Sequence, residues 1–485
     1  MTTAHLNMKH GGTRRGGTKK KGNAMNTHGL KRAVATLVAM GSVLVAPTSE
    51  ALMFRVIHSF PLQQGAFRAY RGPLVVDLDG DRRQEICAED DLGNVWLLDH
   101  QARLLPGWPF RPVLQPMRGY SALAAANVFP DGPLEFILLQ NNDNARTGWV
   151  STFNRQGLRR LVILNPNPGD LYAAPALASL EELELIVPAE IGTLFGFKGN
   201  SIQPLPGWGW PANPWVGALG DLAFEVAIGD MNGDGHDDVV AAGTDRDLVA
   251  LSSGAGLPVG VFRTAEHVAT SPALGDLDGD GRLDVVAVCC GSPGVVYIWN
   301  RNGILLRRWP VKGVYFDSPS LGNLDADDDL EICAVSLDGL LFAWNMNGTS
   351  VDGNGDGQAD FPVRVVNAPA NDFHATPLIA DLDGLPGAEI LVASSRVNSM
   401  YAYHQDGRAV ADFPLQLPAP VELPNRTAPV ISDINADGRV EIVIAWGSRL
   451  LVFSTFGRAA DVQWGSFAHD YQNSRNYEFS PERPR

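Results

Sequence analysis

The segment SPALGDLDGDGRLDVVAV from Ser271 returns 47 positions later as SPSLGNLDADDDLEICAV from Ser318, and the same pattern runs through most of the chain. Aligned on the residue that opens its acidic turn, the pattern begins at Asp77, Asn127, Ser179, Asp230, Asp276, Asn323, Asp381 and Asp433, at intervals of 46 to 58 residues. A unit of about fifty residues cannot enclose a core alone. It buries its apolar faces against its neighbours, which restricts the fold to a stacked array or a closed ring.

Each turn leads into an apolar run: EICAED, EFILLQ, ELIVPA, DVVAAG, DVVAVC, EICAVS, EILVAS and EIVIAW in chain order. A second run follows after a further turn: NVWLLD, GWVSTF, TLFGFK, DLVALS, VVYIWN, LLFAWN, SMYAYH and RLLVFS. A third segment often ends in an aromatic-proline step, as at Trp108-Pro109, Trp309-Pro310, Phe361-Pro362 and Phe413-Pro414. Aromatic and β-branched residues bounded by Gly, Asn and Asp suit half-buried strands. Three or four short antiparallel strands per unit predict an all-β fold, a β-propeller of eight blades. The third copy, PALASLEELELIV, is shortened and degenerate, so seven blades stand as the alternative. A solenoid would need a polar capping repeat at its ends. This chain instead has a spare strand, FRVIHSF from Phe54, placed to complete the last blade and hide its open edge.

The first fifty residues differ in kind. A basic lead (TRRGGTKKKG) and Lys31-Arg32 precede the apolar run from Ala33 to Ala46, and Ser49-Glu50-Ala51 has the small-x-small form of a cleavage site. This layout predicts a signal peptide over residues 1–51, with an uncleaved anchor as the alternative. The propeller then spans 52–470, and 471–485 form a C-terminal tail. Met25 is an alternative start. The expected location is the secreted, periplasmic or cell-surface space, with no stable membrane span after cleavage.

Loss of residues 1–51 removes eight basic residues and one Glu, taking the formal charge from −16 to −23. Nucleic acid is excluded as an expected partner. The acids are clustered, and a divalent metal among them is the expected counter-charge. Cys87 and Cys333 fall at the same apolar strand position of two repeats and read as buried thiols. The adjacent Cys289 and Cys290 leave a strained vicinal disulfide open.

In DMNGDGHDD, side-chain oxygens recur at alternate places: Asp230, Asn232, Asp234 and then Asp238, with Gly235 sixth. Such alternation turns every second side chain toward one cation, and calcium takes six to eight hard oxygens in this way. DLDGDGRLD repeats it with Asp276, Asp278, Asp280 and Asp284. Three loops end in Glu: Asp77, Asp79, Asp81, Glu85; Asn323, Asp325, Asp327, Glu331; and Asp433, Asn435, Asp437, Glu441. A further match, Asp352, Asn354, Asp356 and Asp360, lies outside the repeat register as an insertion. The Asp381 loop keeps Asp383 and Glu389 but has Leu385 at a ligand place, and the Asn127 and Ser179 loops have lost most ligands. For a single loop the competing reading is a turn held by Asx hydrogen bonds. Several structural Ca2+ ions are the cofactor expected from five loops in register.

These residues resemble the FG-GAP and related VCBS repeats of integrin α-subunit propellers and of many bacterial exported proteins. The resemblance implies a propeller in which the acidic loop joins the first two strands of each blade on one face. The closing segment WGSFAHDYQNSRNY is similar to tails that follow bacterial repeats of this type, and its His469 and Asp470 read as packing and hydrogen-bonding residues.

Seven positions before each loop, at the opposite mouth, stand Tyr70, Tyr120, Tyr172, Ala223, Ala269, Phe316, His374 and Arg426. The aromatic and polar members of this ring suit a sugar or an inserted side chain, or else they plug the channel. No carboxylate pair stands apart from the acidic loops, and no Gly-x-Ser-x-Gly elbow is found. The expected function is non-catalytic binding or adhesion to an extracellular glycan or protein ligand. The alternative is a carbohydrate-active enzyme such as a calcium-dependent polysaccharide lyase.

Overall fold

Every predicted loop opening lies at the end of a short strand: Leu74–Val76, Leu123–Ala126, Ala176–Ser179, Ala227–Gly229, Ala273–Gly275, Ser320–Gly322, Leu378–Ala380 and Val430–Ser432. Each of these pairs antiparallel with the apolar run that follows its loop, and that run pairs with the second run. The result, in a computed structural model, is eight antiparallel sheets, numbered here as blades 1 to 8 in chain order. The residues described are 54–478 except 68–71, 112–122, 130–133, 143–146, 165–172, 180–182, 190–192, 200–202, 207, 209–224, 243–246, 253–255, 257, 269, 290, 292, 313–316, 326, 328, 366–375, 395–396, 419–427, 471–472 and 477. Among them, no helix is long and apolar enough to cross a membrane.

The first strand of each blade touches the first strand of the next, and that of blade 8 touches that of blade 1, so the eight form a closed inner ring. The degenerate third copy makes a full blade of four strands, from Ala176–Ser179 out to Gln203–Pro204, which decides between eight blades and seven. The spare strand closes the ring as expected: Arg55–Pro61 pairs antiparallel with Arg449–Arg458 as the outer strand of blade 8. The strand before blade 1 and the strands of blade 8 therefore share one sheet, and neither edge of the array is left open.

Middle strands are buried on both faces because alternate residues pack into different neighbours. In blade 1, Ile86 and Ala88 meet Val443 and Ala445 of blade 8. Cys87 and Leu97 meet Phe136 and Leu138 of blade 2. Cys87 and Cys333 are buried free thiols at equivalent places, with burial pushing both well above the ordinary thiol range. Cys289 is buried, and Cys290 lies outside the described residues.

Beyond blade 8 the chain turns into the axis. Val462–Trp464 pairs with the inner strand of blade 7, making that sheet five-stranded. Gly465 O then accepts from Ile431 N of blade 8. Asn473 Nδ2 donates to Leu123 O of blade 2 and Pro175 O of blade 3. Asn476 Nδ2 donates to Ile228 O of blade 4. Arg475, fully buried, donates to Pro272 O of blade 5 and Pro319 O of blade 6. The tail thus fills the channel and ties blades 2 to 8 together. Beside the tail lies a cavity of about 420 Å³ lined by residues including Pro73, Gln84, Ser432, Phe467, His469 and Asn473. His469 lies in this packing, its ring 5.0 Å from that of Trp464 and its Nδ1 3.1 Å from Asp470.

Candidate metal centres

Strand register builds the loops. The residue before each loop pairs across the hairpin with the loop's ninth residue: Val76 with Glu85, Gly229 with Asp238, Gly275 with Asp284, Gly322 with Glu331, Ala380 with Glu389 and Ser432 with Glu441. The ninth carboxylate is therefore placed by the sheet and the others by the turn. One of its oxygens accepts the backbone N–H of the second loop residue in every case: Leu78 at 2.9 Å, Met231 at 2.9 Å, Leu277 at 3.2 Å, Leu324 at 2.6 Å, Leu382 at 2.7 Å and Ile434 at 3.1 Å. The first carboxylate organises the turn. Asp230 accepts from Gly233, Asp234 and Gly235, and Asp433 from Asp437 and Gly438. The inserted loop is built alike: Asp352 accepts from Asp356 and Gly357, and Asp360 from Gly353. Gly353 is required by close approach, since a Cβ there would lie 2.1 Å from Gln405 O of blade 7.

Burial raises the ninth carboxylates first, and the loop acids add to the effect. Glu85, Asp238 and Asp284 are pushed up to about 7. Glu331, Glu389 and Glu441 are pushed up to about 8. Each is held in a low-dielectric site facing like charges, the arrangement that a divalent cation relieves.

Three loops bring carboxylate oxygens within 4.8 Å of one another: Asp77, Asp79 and Glu85; Asp276, Asp278 and Asp280; and Asp325, Asp327 and Glu331. The donor sets fit a hard cation, and blade 6 supplies the test. Glu331 is 0% exposed, and its second oxygen, Oε1, has no hydrogen-bond partner although it faces Asp325 and Asp327. A buried carboxylate oxygen left unpaired is costly unless a cation meets it. In blade 8 and the inserted loop, the ninth carboxylate instead meets an amide, at 2.9 Å from Asn435 Nδ2 and 3.2 Å from Asn354 Nδ2. In blade 4, Asn232 Nδ2 stands 3.3 Å from Asp238. A half-turn of each amide presents its oxygen in the same direction. Asp81 is used within the turn, accepting from Arg83 N at 2.7 Å.

The sequence pattern did not reveal that arginines reach these loops from the following blade. Arg155 of blade 2 pairs with Asp79 and lies 3.6 Å from Glu85 of blade 1. Arg301, at the equivalent hairpin place of blade 5, lies over Gly233 of blade 4. In blade 2, Glu135 keeps the ninth-place bond, to Val128 N at 3.0 Å, and Arg159 stands 3.9 Å away. The Ser179 loop of blade 3 is held from blade 4: Ser179 N donates to Asp237 Oδ2, and Asp237 N to Ser179 O, both at 2.8 Å. The ring of Tyr70, Tyr120, Tyr172, Phe316, His374 and Arg426 lies outside the described residues, as do Ala223 and Ala269.

Residues 230–287, covering the acidic loops of blades 4 and 5, match the FG-GAP-like repeat family. Comparison with curated protein sequences returned no match. Among solved structures, the chain is similar to the V. cholerae biofilm matrix protein Bap1 (11% identity, 86% of this chain and 94% of that one, TM-score 0.52). It is also similar to BamB from Moraxella catarrhalis (13% identity, 83% and 99%, TM-score 0.51). A third similar structure is the Dos1 propeller (12% identity, 83% and 96%, TM-score 0.53). At such identities the likeness concerns the fold. The chain is an eight-bladed β-propeller that carries an FG-GAP-like repeat.

Proposed function

We propose that this chain is an exported, calcium-stabilised propeller that works by binding an extracellular glycan or protein. The observation that carries the calcium reading is the partnerless, buried Oε1 of Glu331 beside Asp325 and Asp327. Calcium would be held by Asp230, Asn232, Asp234 and Asp238 in blade 4; by Asp276, Asp278, Asp280 and Asp284 in blade 5; and by the corresponding residues of blades 6 and 8 and of the inserted loop. In blade 1 it would have to displace Arg155 from Asp79. Bound there, calcium neutralises the loop carboxylates and locks the first hairpin of each blade.

A binding role is supported by the way the tail occupies the axis. With tail residues bonded to the inner strands of blades 2 to 8, an extended ligand is expected to lie on a face or rim and not along the axis. That a propeller of similar fold is a biofilm matrix protein agrees with work outside the cell. Export is supported by the basic lead and apolar run of residues 1–51. The test is a glycan array probed with purified protein in calcium and in chelator, followed by assay for new unsaturated sugar ends. Calcium-dependent retention without such ends supports the reading. Ultraviolet-absorbing product would overturn it in favour of a lyase.

A further inference from the structure

Blade 7 departs from its neighbours at two places that meet in space. Its loop has Leu385 fifth, and that side chain is 58% exposed, turned away from the turn. Its first carboxylate is committed elsewhere, because Asp381 Oδ2 lies 3.3 Å from Arg458 Nε. A calcium loop is thereby dismantled. The second departure is His404. The pairing of Ile390 with Tyr403 sets residue 404 directly across from Glu389, and the equivalent places in the other blades hold Asp99, Asn154, Lys198, Ser252, Asn300, Asn345 and Ser454. An imidazole occurs here alone.

His404 Nδ1 is 3.1 Å from Glu389 Oε1, and one donor atom each of Asp383, Glu389 and His404 lies within 4.8 Å of the other two. Glu389 and Asp383 are 1% and 8% exposed, whereas the His404 side chain is 23% exposed, so the imidazole is the side of the cluster open to solvent. We propose that Asp383, Glu389 and His404 form a binding site for a borderline divalent metal such as zinc, separate from and chemically unlike the calcium loops. Two carboxylates and one imidazole suit zinc, manganese, iron or cobalt, with bonds of about 2.0–2.2 Å. Calcium prefers oxygen and more ligands than these three residues supply. Water from the exposed side would complete the shell.

The test uses the untagged full-length protein, stripped with chelator and returned to saturating calcium. Cobalt(II) is added and its visible absorption followed, and bound zinc is counted after desalting. One equivalent is expected, with a visible band that zinc displaces. His404→Ala is expected to lose that equivalent. So is His404→Asn, which restores the residue used by blades 2, 5 and 6, and whose melting curve reports that it folds. Asp278→Asn, in blade 5, is expected to retain it. No bound equivalent, or one that survives both His404 substitutions, overturns the site. The calcium dependence of melting is read on the same samples, so failure of the calcium reading and failure of this site are told apart.

Discussion

The guanidinium of Arg475 lies 5.6 Å from the centre of the Trp464 indole, both side chains fully buried on the axis of the ring. Arg475 also donates to Pro272 O, Pro319 O and Phe467 O at 2.6 to 2.8 Å. Planar, forked donors make this hub possible, and a lysine ammonium on its flexible stem cannot reproduce it. Arg475→Ala leaves three buried acceptors unpaired, each worth about 1–3 kcal/mol. The expected loss is roughly 3 kcal/mol or more, with Arg475→Lys recovering only part of it. Urea unfolding midpoints of the three proteins check this. Equal midpoints would mean that the tail does not brace the ring.

Glu331 gives a prediction whose sign changes with conditions. Without a cation Glu331 is buried beside Asp325 and Asp327 and must hold a proton to stay there below about pH 8, so Glu331→Gln, which needs none, should leave stability unchanged or raised in chelator. In calcium the same change removes a charged ligand and should lower the melting temperature relative to wild type. Melting curves of both proteins in both buffers decide. A variant shifted equally in the two buffers would sink the calcium assignment in blade 6.

The pH dependence in chelator follows from the ninth carboxylates. Glu331, Glu389 and Glu441 at about 8, and Glu85, Asp238 and Asp284 at about 7, all lie above their unfolded values near 4. Between those limits the folded chain keeps protons that the unfolded chain has released, so stability falls as pH rises. The contribution of these groups is fully present below about pH 4 and lost above about pH 8. Calcium displaces the protons, so its gain in melting temperature should grow from pH 5 to pH 8. A calcium gain that is flat across that range would contradict the arrangement.

The blade count and the place of each loop were legible because strand alternation and loop spacing are local. The pairing of Val76 with Glu85, and its counterparts, needs only a hairpin of fixed length. The closing strand at Arg55–Pro61 was legible because an array with a spare strand has one economical use for it. What could not be read was whatever passes between blades or depends on strand register within one. Arg155 reaches Asp79 across a blade boundary, His404 faces Glu389 only once a strand register is known, and Arg475 meets carbonyls of residues more than 150 positions away. The degenerate third copy looked weak because its loop is shortened and has lost most ligands. Its support comes from blade 4.

That support yields the last prediction. Asp237 is 0% exposed, and its carboxylate and amide clasp the backbone of Ser179 from the next blade. It sits one place before the ninth ligand, Asp238, and bonds across the blade boundary. Asp237→Ala removes the part-buried hydrogen bond that its carboxylate accepts from Ser179 N, an expected loss of about 1 kcal/mol. Because the clasp replaces a metal loop instead of belonging to one, the loss should be the same in calcium and in chelator. Asp234→Ala in the same loop should instead cost stability only when calcium is present. Paired denaturant titrations separate the two, and a calcium-dependent effect at Asp237 would place it among the ligands of blade 4 and not between the blades.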